Sequence, residues 1–591
     1  MSRHQVQAGR LPSDATVPVA RMQPFRLPVT TEDVMGIGGW RLIGVGGGER
    51  RAWWCPAGGA WGMSGTGDGS LSEDPRRSLP RREFLAVSGS LALAGNAAAA
   101  AGQGSGGMGT GRACSGGGQP PANVIAVENA REGTTDWLLT KTGVDPETKY
   151  RCPWIEGFAS RTSVRAGEAI QFFVSTNPAS EFRIDIFRMG YYGGRGGRLM
   201  QQLGPFAGSV QAEPEIGPQR VRECCWEPCA ELVIPDDWVS GVYLGRLTAE
   251  QDGWQSYLVF IVRDDRLADL LFQCSDTTWQ AYNRWPDQFA LYDDGQDKWY
   301  CGPDVAVSFD RPYGRYCQIL DVPLTTGSGS WFLWEYPFAY WLEQQGYDVS
   351  YCSGLDTHTD IAGLLRARGF LSIGHDEYYS LEMYQHLLAA RDAGVSLCFF
   401  SGDTCWGRID PRPSGSGAAD RVFSRVDAFG PCLPGAEKWA GADRFPYQTP
   451  SESMLIGARN VPPVTGGADW ICRLPEHWVF AGTGMVEGEG IPGLVGWEWM
   501  GMPAEIAGLE VLASGRTSHG VDRPGAEGFY SATIYPGPRD NFVFNAATCW
   551  WCDGLSEPPG YQRPRVYTEP QGVDARVQQI TTNLLNRICG R

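Results

Sequence analysis

Histidine is scarce in this sequence, six among 591 residues, and none stands beside either close group of cysteines, CCWEPC (Cys224, Cys225, Cys229) or CWWC (Cys549, Cys552). A zinc site of four Cys and His ligands has no local set to form from. The 17 cysteines are odd in number and follow no repeated spacing, so no disulfide framework is legible and the two groups read as buried thiols or one local disulfide. No cysteine sits between glycines at a strand-to-helix elbow, which excludes a cysteine amidotransferase. The nearest approach to a serine elbow is the broken GSGA from Gly415 in a Pro/Gly-rich loop. Basic charge is also short. With 50 Lys and Arg against 67 Asp and Glu, a net charge of −17 and a pI near 4.9, neither a nucleic-acid backbone nor an anionic membrane is expected as main partner. No run of ~20 strongly apolar residues occurs, so no stable membrane span is expected either. What is present is globular: 42% hydrophobic and 20% charged residues, with 23 Trp and 78 Gly for packed aromatics and turns, and length for two or three domains.

The first hundred residues read as addressing. PRREFLAVSGSLALAGNAAAAAG, from Pro80 to Gly102, places Arg81 and Arg82 before Phe84 and Leu85, then a mild apolar run and an Ala-rich end. That order is a twin-arginine export signal, and its small residues favour cleavage near Ala99 to Ala101 over anchoring. Such a signal belongs at an amino terminus. Met63 is therefore the preferred start, and residues 1–62, rich in Gly, Arg and Trp without periodicity, read as a mis-assigned or disordered extension. Residues 63–102 are the signal region and 103–123 a Gly/Ser-rich flexible linker. The expected location is periplasmic or extracellular, and because this route carries folded proteins, a preloaded metal or cofactor fits it.

Residues 124–264 alternate apolar and polar in short runs such as SVRAGEAIQFFVST, FRIDIFRMG and WQSYLVFIVRD. Period-two alternation predicts an all-β, immunoglobulin-like sandwich. Arg188, Tyr191, Tyr192 and Arg195 in FRMGYYGGRGGR form a candidate loop facing the next domain. From 265 to 591 the rhythm changes: ADLLFQCS, YDVSYCS, FLSIG and VSLCFFSG alternate with helical windows including FLWEYPFAYWLEQQG and SLEMYQHLLAARDAG. This βαβ order predicts an α/β doubly wound parallel sheet, glutamine-amidotransferase-like or flavodoxin-like, as the catalytic domain.

Sites in such sheets lie beyond the carboxyl ends of strands. After ADLLFQCS come Asp276, Thr277, Thr278, Trp279 and Tyr282. After YDVSYCS come Asp356 and His358, after FLSIG come His375, Asp376, Glu377 and Tyr378, and after VSLCFFSG come Asp403, Thr404 and Trp406. Four polar, aromatic loops on one rim point to a shared crevice. Its donors are phenols and carboxylates, which suit a hard cation such as ferric iron; the plain alternative for any single Tyr is a buried phenol satisfied by one hydrogen bond.

TWQAYNRW (Thr278–Trp285), SFDRPY (Ser308–Tyr313), EYPFAYWLEQQGYDVSY (Glu335–Tyr351), GHDEYYS (Gly374–Ser380), FFSGDTCW (Phe399–Trp406) and LVGWEW (Leu494–Trp499) together resemble the large subunit of N,N-dimethylformamidase. The similarity begins near residue 150. It implies an amidohydrolase with a mononuclear Fe(III) held by two tyrosines and a glutamate, which fall on Tyr282, Tyr313 and Glu377, with Tyr316 and Tyr378 as alternatives for the second tyrosine. The family's nearby polar groups fall on His375, Asp403 and Glu498. Asp403 stands where the family has Asn, a carboxylate that only accepts when ionised in place of an amide that donates, and this departure points away from dimethylformamide itself. The lectin-like region that the founding enzyme carries ahead of its sandwich is missing here. A homo-oligomer or a small accessory subunit is compatible with the resemblance.

The expected chemistry is attack by activated water on a small neutral amide, with Glu498 as general base or proton shuttle and His375 orienting water or the oxyanion. The competing expectation is a secreted binding protein that holds a sugar or small polar ligand without turnover, stacking it on Trp279, Trp285 and Trp406. Bound metal separates the two.

Overall fold

The computed structural model describes residues 40–42, 54–56, 123–148, 150–296, 299–315, 325–433, 439–461, 466–518, 528–563 and 572–591. The export signal, its proposed cleavage site, the linker up to residue 122 and nearly all of the upstream extension lie outside them. In the first of two units, Met1–Ser70, the described residues form one antiparallel pair, Trp40–Leu42 with Trp54–Pro56. Among the described residues no helix is long and apolar enough to cross a membrane.

In the second unit, Leu71–Arg591, two β-sheets share one core. One has five strands in the order Ser163–Arg165, Gln255–Arg263, Gly241–Ala249, Glu181–Met189, Gly197–Ala207; the other is Ile155–Ala159, Ala169–Thr176, Ala230–Val233. Alternation explains them: Ile170, Phe172 and Val174 point inward from one strand and meet Ile184, Ile186, Leu247 and Phe260 from the facing sheet.

The larger sheet has seven strands: β1 (Ala268–Cys274), β2 (Val349–Ser353), β3 (Ala367–His375), β4 (Ser396–Gly402), β5 (Glu510–Thr517), β6 (Gly528–Pro536) and β7 (Phe542–Asn545), in spatial order β2-β1-β3-β4-β7-β6-β5. The pairs from β2 to β7 are parallel, and β6 then runs antiparallel to both β7 and β5. Between β3 and β4 lies the helix Leu381–Ala393, opened by the Ser380 hydroxyl accepting the Met383 N–H at 3.0 Å and closed by Gly394 at φ +106°. The last helix, Ala575–Cys589, buries Val577, Ile580, Leu584 and Ile588, the stripe that 3.6-residue periodicity requires.

The expected α/β doubly wound domain is not what forms. Strand residues outnumber helical ones, 36% against 20%, and they are spread over several mixed and antiparallel sheets. Helical windows flank only β1 to β4, and the sequence reading extended their rhythm to the whole domain. Beyond Gly402 the chain enters a second sheet, in the order Ala306–Ser308, Val422–Ala428, Gly407–Arg412, Tyr378–Ser380. It continues through the antiparallel pairs Gly466–Ile471 with Gly490–Trp497 and Ala458–Asn460 with Met500–Pro503 before β5. Among the described residues the strand-to-strand connections there leave no long crossover helix to cover a parallel sheet.

A buried ion pair joins the five-stranded sheet to the helix Tyr336–Gln344. Arg188 is bidentate to Glu343 at 2.9 and 3.0 Å, and Tyr351 and Asn129 donate to the same carboxylate at 2.8 and 2.7 Å. Both side chains are fully buried. Removing one partner strands the other's charge, so Arg188→Met is expected to lose about 3–5 kcal/mol in urea unfolding, and Arg188→Met with Glu343→Leu much less. At the start of the helix Asp276–Ala281, burial pushes the Asp276 carboxyl up to about 8, partly opposed by the Gly354 N–H it accepts. The folded state thus keeps a proton that the unfolded chain sheds near pH 4, and the stability linked to it is complete below that pH and lost as pH rises through about 8. Urea midpoints of wild type should fall relative to Asp276→Asn across this window and run parallel to them above it.

Candidate functional site

β3 and β4 leave the main sheet side by side and enter the second sheet almost at once, at Tyr378 and Gly407. The turns between the sheets carry His375, Glu377 and Asp403. They are tied together by the Cys405 N–H donating to the Asp376 carbonyl and the Gly407 N–H to the Glu377 carbonyl, both at 3.0 Å. Asp376 itself points into the fold, where its carboxylate accepts from Gln273 (2.8 Å), Ser372 (2.8 Å) and Tyr379 (2.7 Å). The Thr278 hydroxyl accepts the N–H groups of Glu377 and Tyr378 at 3.0 and 3.2 Å. These bonds leave Glu377 facing the opposite way.

Two glycines permit the close approach. At Gly374, φ +71°, a Cβ would stand 2.3 Å from the Trp334 Cβ; at Gly402 it would stand 2.4 Å from the Glu498 carbonyl oxygen. Gly402 therefore lets the hairpin strand Gly490–Trp497 deliver Glu498 directly onto the end of β4. Asp403, Cys405 and Trp497 hold positive φ of 47°, 59° and 61°, a conformation that costs a non-glycine residue energy.

His375 Nε2 lies 2.5 Å from Glu498 Oε2, 3.4 Å from Glu377 Oε2 and 4.0 Å from Asp403 Oδ2. One ligand atom from each of the four lies within 4.8 Å of all the others. Phenols close the far side of Glu377: Tyr282 donates to Oε2 at 2.6 Å, Tyr292 donates to Oε1 at 2.8 Å, and the two hydroxyls are 2.9 Å apart. Tyr292 is also hydrogen-bonded to the Tyr378 hydroxyl. Burial raises the Tyr282 phenol well above its ordinary range, and Glu377 and Tyr292 add to the effect. Burial likewise raises the Asp403 carboxyl, with the Glu498 and Glu377 charges adding and His375 opposing. Among the described residues Asp403 Oδ1 is buried with no hydrogen-bond partner. Three carboxylates crowded out of water repel one another, and a cation among them would remove both the repulsion and the orphaned oxygen. Oxygen donors with one imidazole fit such an ion, so the cluster could hold a metal.

The structure brings together Tyr282, His375, Glu377, Asp403 and Glu498. The Tyr313 ring packs edge-on against Trp279 at 6.4 Å and lines a cavity with Phe158 and Arg311. Tyr316 lies outside the described residues, and Tyr378 reaches Glu377 through Tyr292. Tyr292 was not found from sequence, since it follows no strand end and stands in none of the six resemblance blocks. Its position ten residues after Tyr282 in the same excursion is the one clue. Trp299, half-exposed, stacks on it at 4.0 Å. Of the other strand ends, Asp356 caps its own helix and pairs with Arg263, and His358 bonds to Ser380.

Among curated proteins none matches this chain. A family profile does, the one described as N,N-dimethylformamidase beta subunit-like, C-terminal, over residues 183–563. The matched stretch starts within the five-stranded sheet, contains the whole His375, Glu377, Asp403 and Glu498 cluster and covers more than half of the chain, which therefore belongs to the N,N-dimethylformamidase beta subunit-like family through its C-terminal region.

Proposed function

We propose that this protein is an exported, iron-dependent hydrolase of small neutral amides. The observation that carries the reading is the convergence of His375, Glu377, Asp403 and Glu498 beside two phenols on Glu377, inside the region shared with the family. Glu377 and Tyr282 would hold the ion, with Tyr292 in the place the resemblance gave to Tyr313. When bound, a ferric ion supplies polarisation of the amide carbonyl and a more acidic water.

The chain's own groups account for the rest. Attack of water on the carbonyl carbon forms a C–O bond and releases a proton, and Glu498 is placed to take it. Cleavage of the C–N bond needs a proton on the departing nitrogen, and Glu498 returns it, so that amide and water become carboxylic acid and amine. His375, with Nε2 2.5 Å from Glu498 Oε2, fixes that carboxylate. Glu498 and Tyr282 keep 7% and 8% of their exposure while His375 has none. The closed surroundings favour few-atom substrates and keep bulk water out. Export is supported by the twin-arginine segment at Arg81 and Arg82. The sugar-stacking alternative loses two of its rings, because Trp279 and Trp285 are buried and donate to Glu335 and Glu156.

Protein purified without chelator is expected to contain iron, to absorb in the visible through tyrosinate charge transfer, and to release amine from members of a panel of formamides and acetamides. Tyr282→Phe should bleach the colour. Glu498→Gln should keep the iron and lower kcat by about 10²- to 10⁴-fold. Folded protein without iron refutes the metal assignment, and iron-loaded protein that releases no amine from any of the panel refutes the hydrolase.

A further inference from the structure

Behind the phenols lies a cation that the reaction leaves unused. Arg425, on the second-sheet strand Val422–Ala428, is completely buried. Among the described residues it donates to one phenol and three main-chain carbonyls and to no carboxylate: Tyr378 Oη at 3.0 Å, and the carbonyls of Leu291, Tyr300 and Gly302 at 3.4, 3.3 and 3.4 Å. The guanidinium also lies 4.6 Å from the ring centre of Tyr292 and 5.9, 6.0 and 5.9 Å from those of Tyr378, Trp406 and Phe445, within the ~6 Å range of cation–π attraction. An arginine is always charged, and burying one without a carboxylate partner is expensive. The carbonyl bonds are long; the shortest contact goes to the phenol, and through it toward Glu377.

The direction of the bonds is fixed along this path. The Tyr292 O–H goes to the acceptor Glu377, so the proton between the two phenols is that of Tyr378, whose oxygen accepts an N–H from Arg425. Each donor in such a chain strengthens the next.

We propose that Arg425 is a positioning residue that anchors the links Arg425 to Tyr378 to Tyr292, and so sets how much charge Tyr292, once an ion held at Glu377 has displaced its own proton, delivers to that ion. This rests on the metal reading given above. Arg425 touches neither substrate nor ion; it draws electron density outward through Tyr378, leaving the inner phenol a weaker donor and the ion a stronger Lewis acid.

The test uses the full chain purified without chelator and its Arg425→Gln, Arg425→Lys and Tyr378→Phe variants. Iron affinity is measured by competition with a chelator of known strength, together with the visible absorption band, circular dichroism and the unfolding midpoint. Arg425→Gln and Tyr378→Phe should each bind iron about 10- to 100-fold more weakly, the usual effect of losing a group that orients a metal ligand, with the lost orientation outweighing the stronger donation of the released phenolate. Both should move the band to longer wavelength, since a phenolate relieved of its donor holds its electrons less tightly. Arg425→Lys keeps the charge and should fall between. The double variant Arg425→Gln, Tyr378→Phe should be no weaker than the worse single one, because both break the same link; additive losses overturn the chain. A folded Arg425→Gln protein with wild-type affinity and an unmoved band overturns the proposal. If that variant does not fold, Tyr378→Phe, which removes one oxygen and leaves the cation in place, decides on the same two readouts. A wild type without iron or colour overturns the metal reading and this proposal with it, whereas a coloured wild type with unmoved variants overturns this proposal alone.

Discussion

Three carboxylates and an imidazole held within 4.8 Å of one another, all buried, impose a cost that the surrounding fold has to absorb. Like charges out of water drive each other toward the neutral form or apart, and flexible supports would let them separate. Here they cannot. His375 and Glu377 are locked by Thr278 and by the inward-facing Asp376, and Asp403 sits in a left-handed conformation that only a rigid environment maintains. Farther out, Arg188 and Glu343 secure the helix that follows Trp334, the residue against which Gly374 is pressed.

Neighbouring acids have opposite duties. Asp376 accepts three side-chain hydrogen bonds and is spent on structure, while Glu377, the next residue, accepts from the phenols of Tyr282 and Tyr292. The difference arises because the chain turns from one sheet into another between them, which sends successive side chains to opposite faces. Composition treats the two as equivalent; the turn does not.

That contrast also marks what the sequence could and could not convey. FLSIG and VSLCFFSG are short apolar runs ending in polar residues, and strand ends of that kind are legible, so the loops that carry His375, Glu377 and Asp403 could be named from position, while the choice of those residues within them came from the resemblance. Glu498 came from its motif, and no periodicity would have placed a hairpin residue 2.5 Å from His375. Tyr292 was invisible because its role depends on where a loop returns, not on any local pattern. Tyr313 was named through its motif block, and its ring packs against Trp279 and lines a cavity with Arg311. The α/β reading failed for a related reason: helical periodicity is strong where it exists, between β1 and β4, and the weaker alternation that builds the antiparallel sheets after Gly402 was outweighed by it.

Glu498 differs from its three companions in origin. They ride on two turns cross-linked by backbone hydrogen bonds, whereas Glu498 is contributed by the end of a hairpin pressed against Gly402. The proposed ion-holding corner and the proposed proton-handling arm are thus separate parts of the chain that meet at one glycine. A lineage could exchange the arm, and with it the leaving groups it serves, while the corner stayed as it is; Gly402, which touches nothing that reacts, would be the residue least free to change.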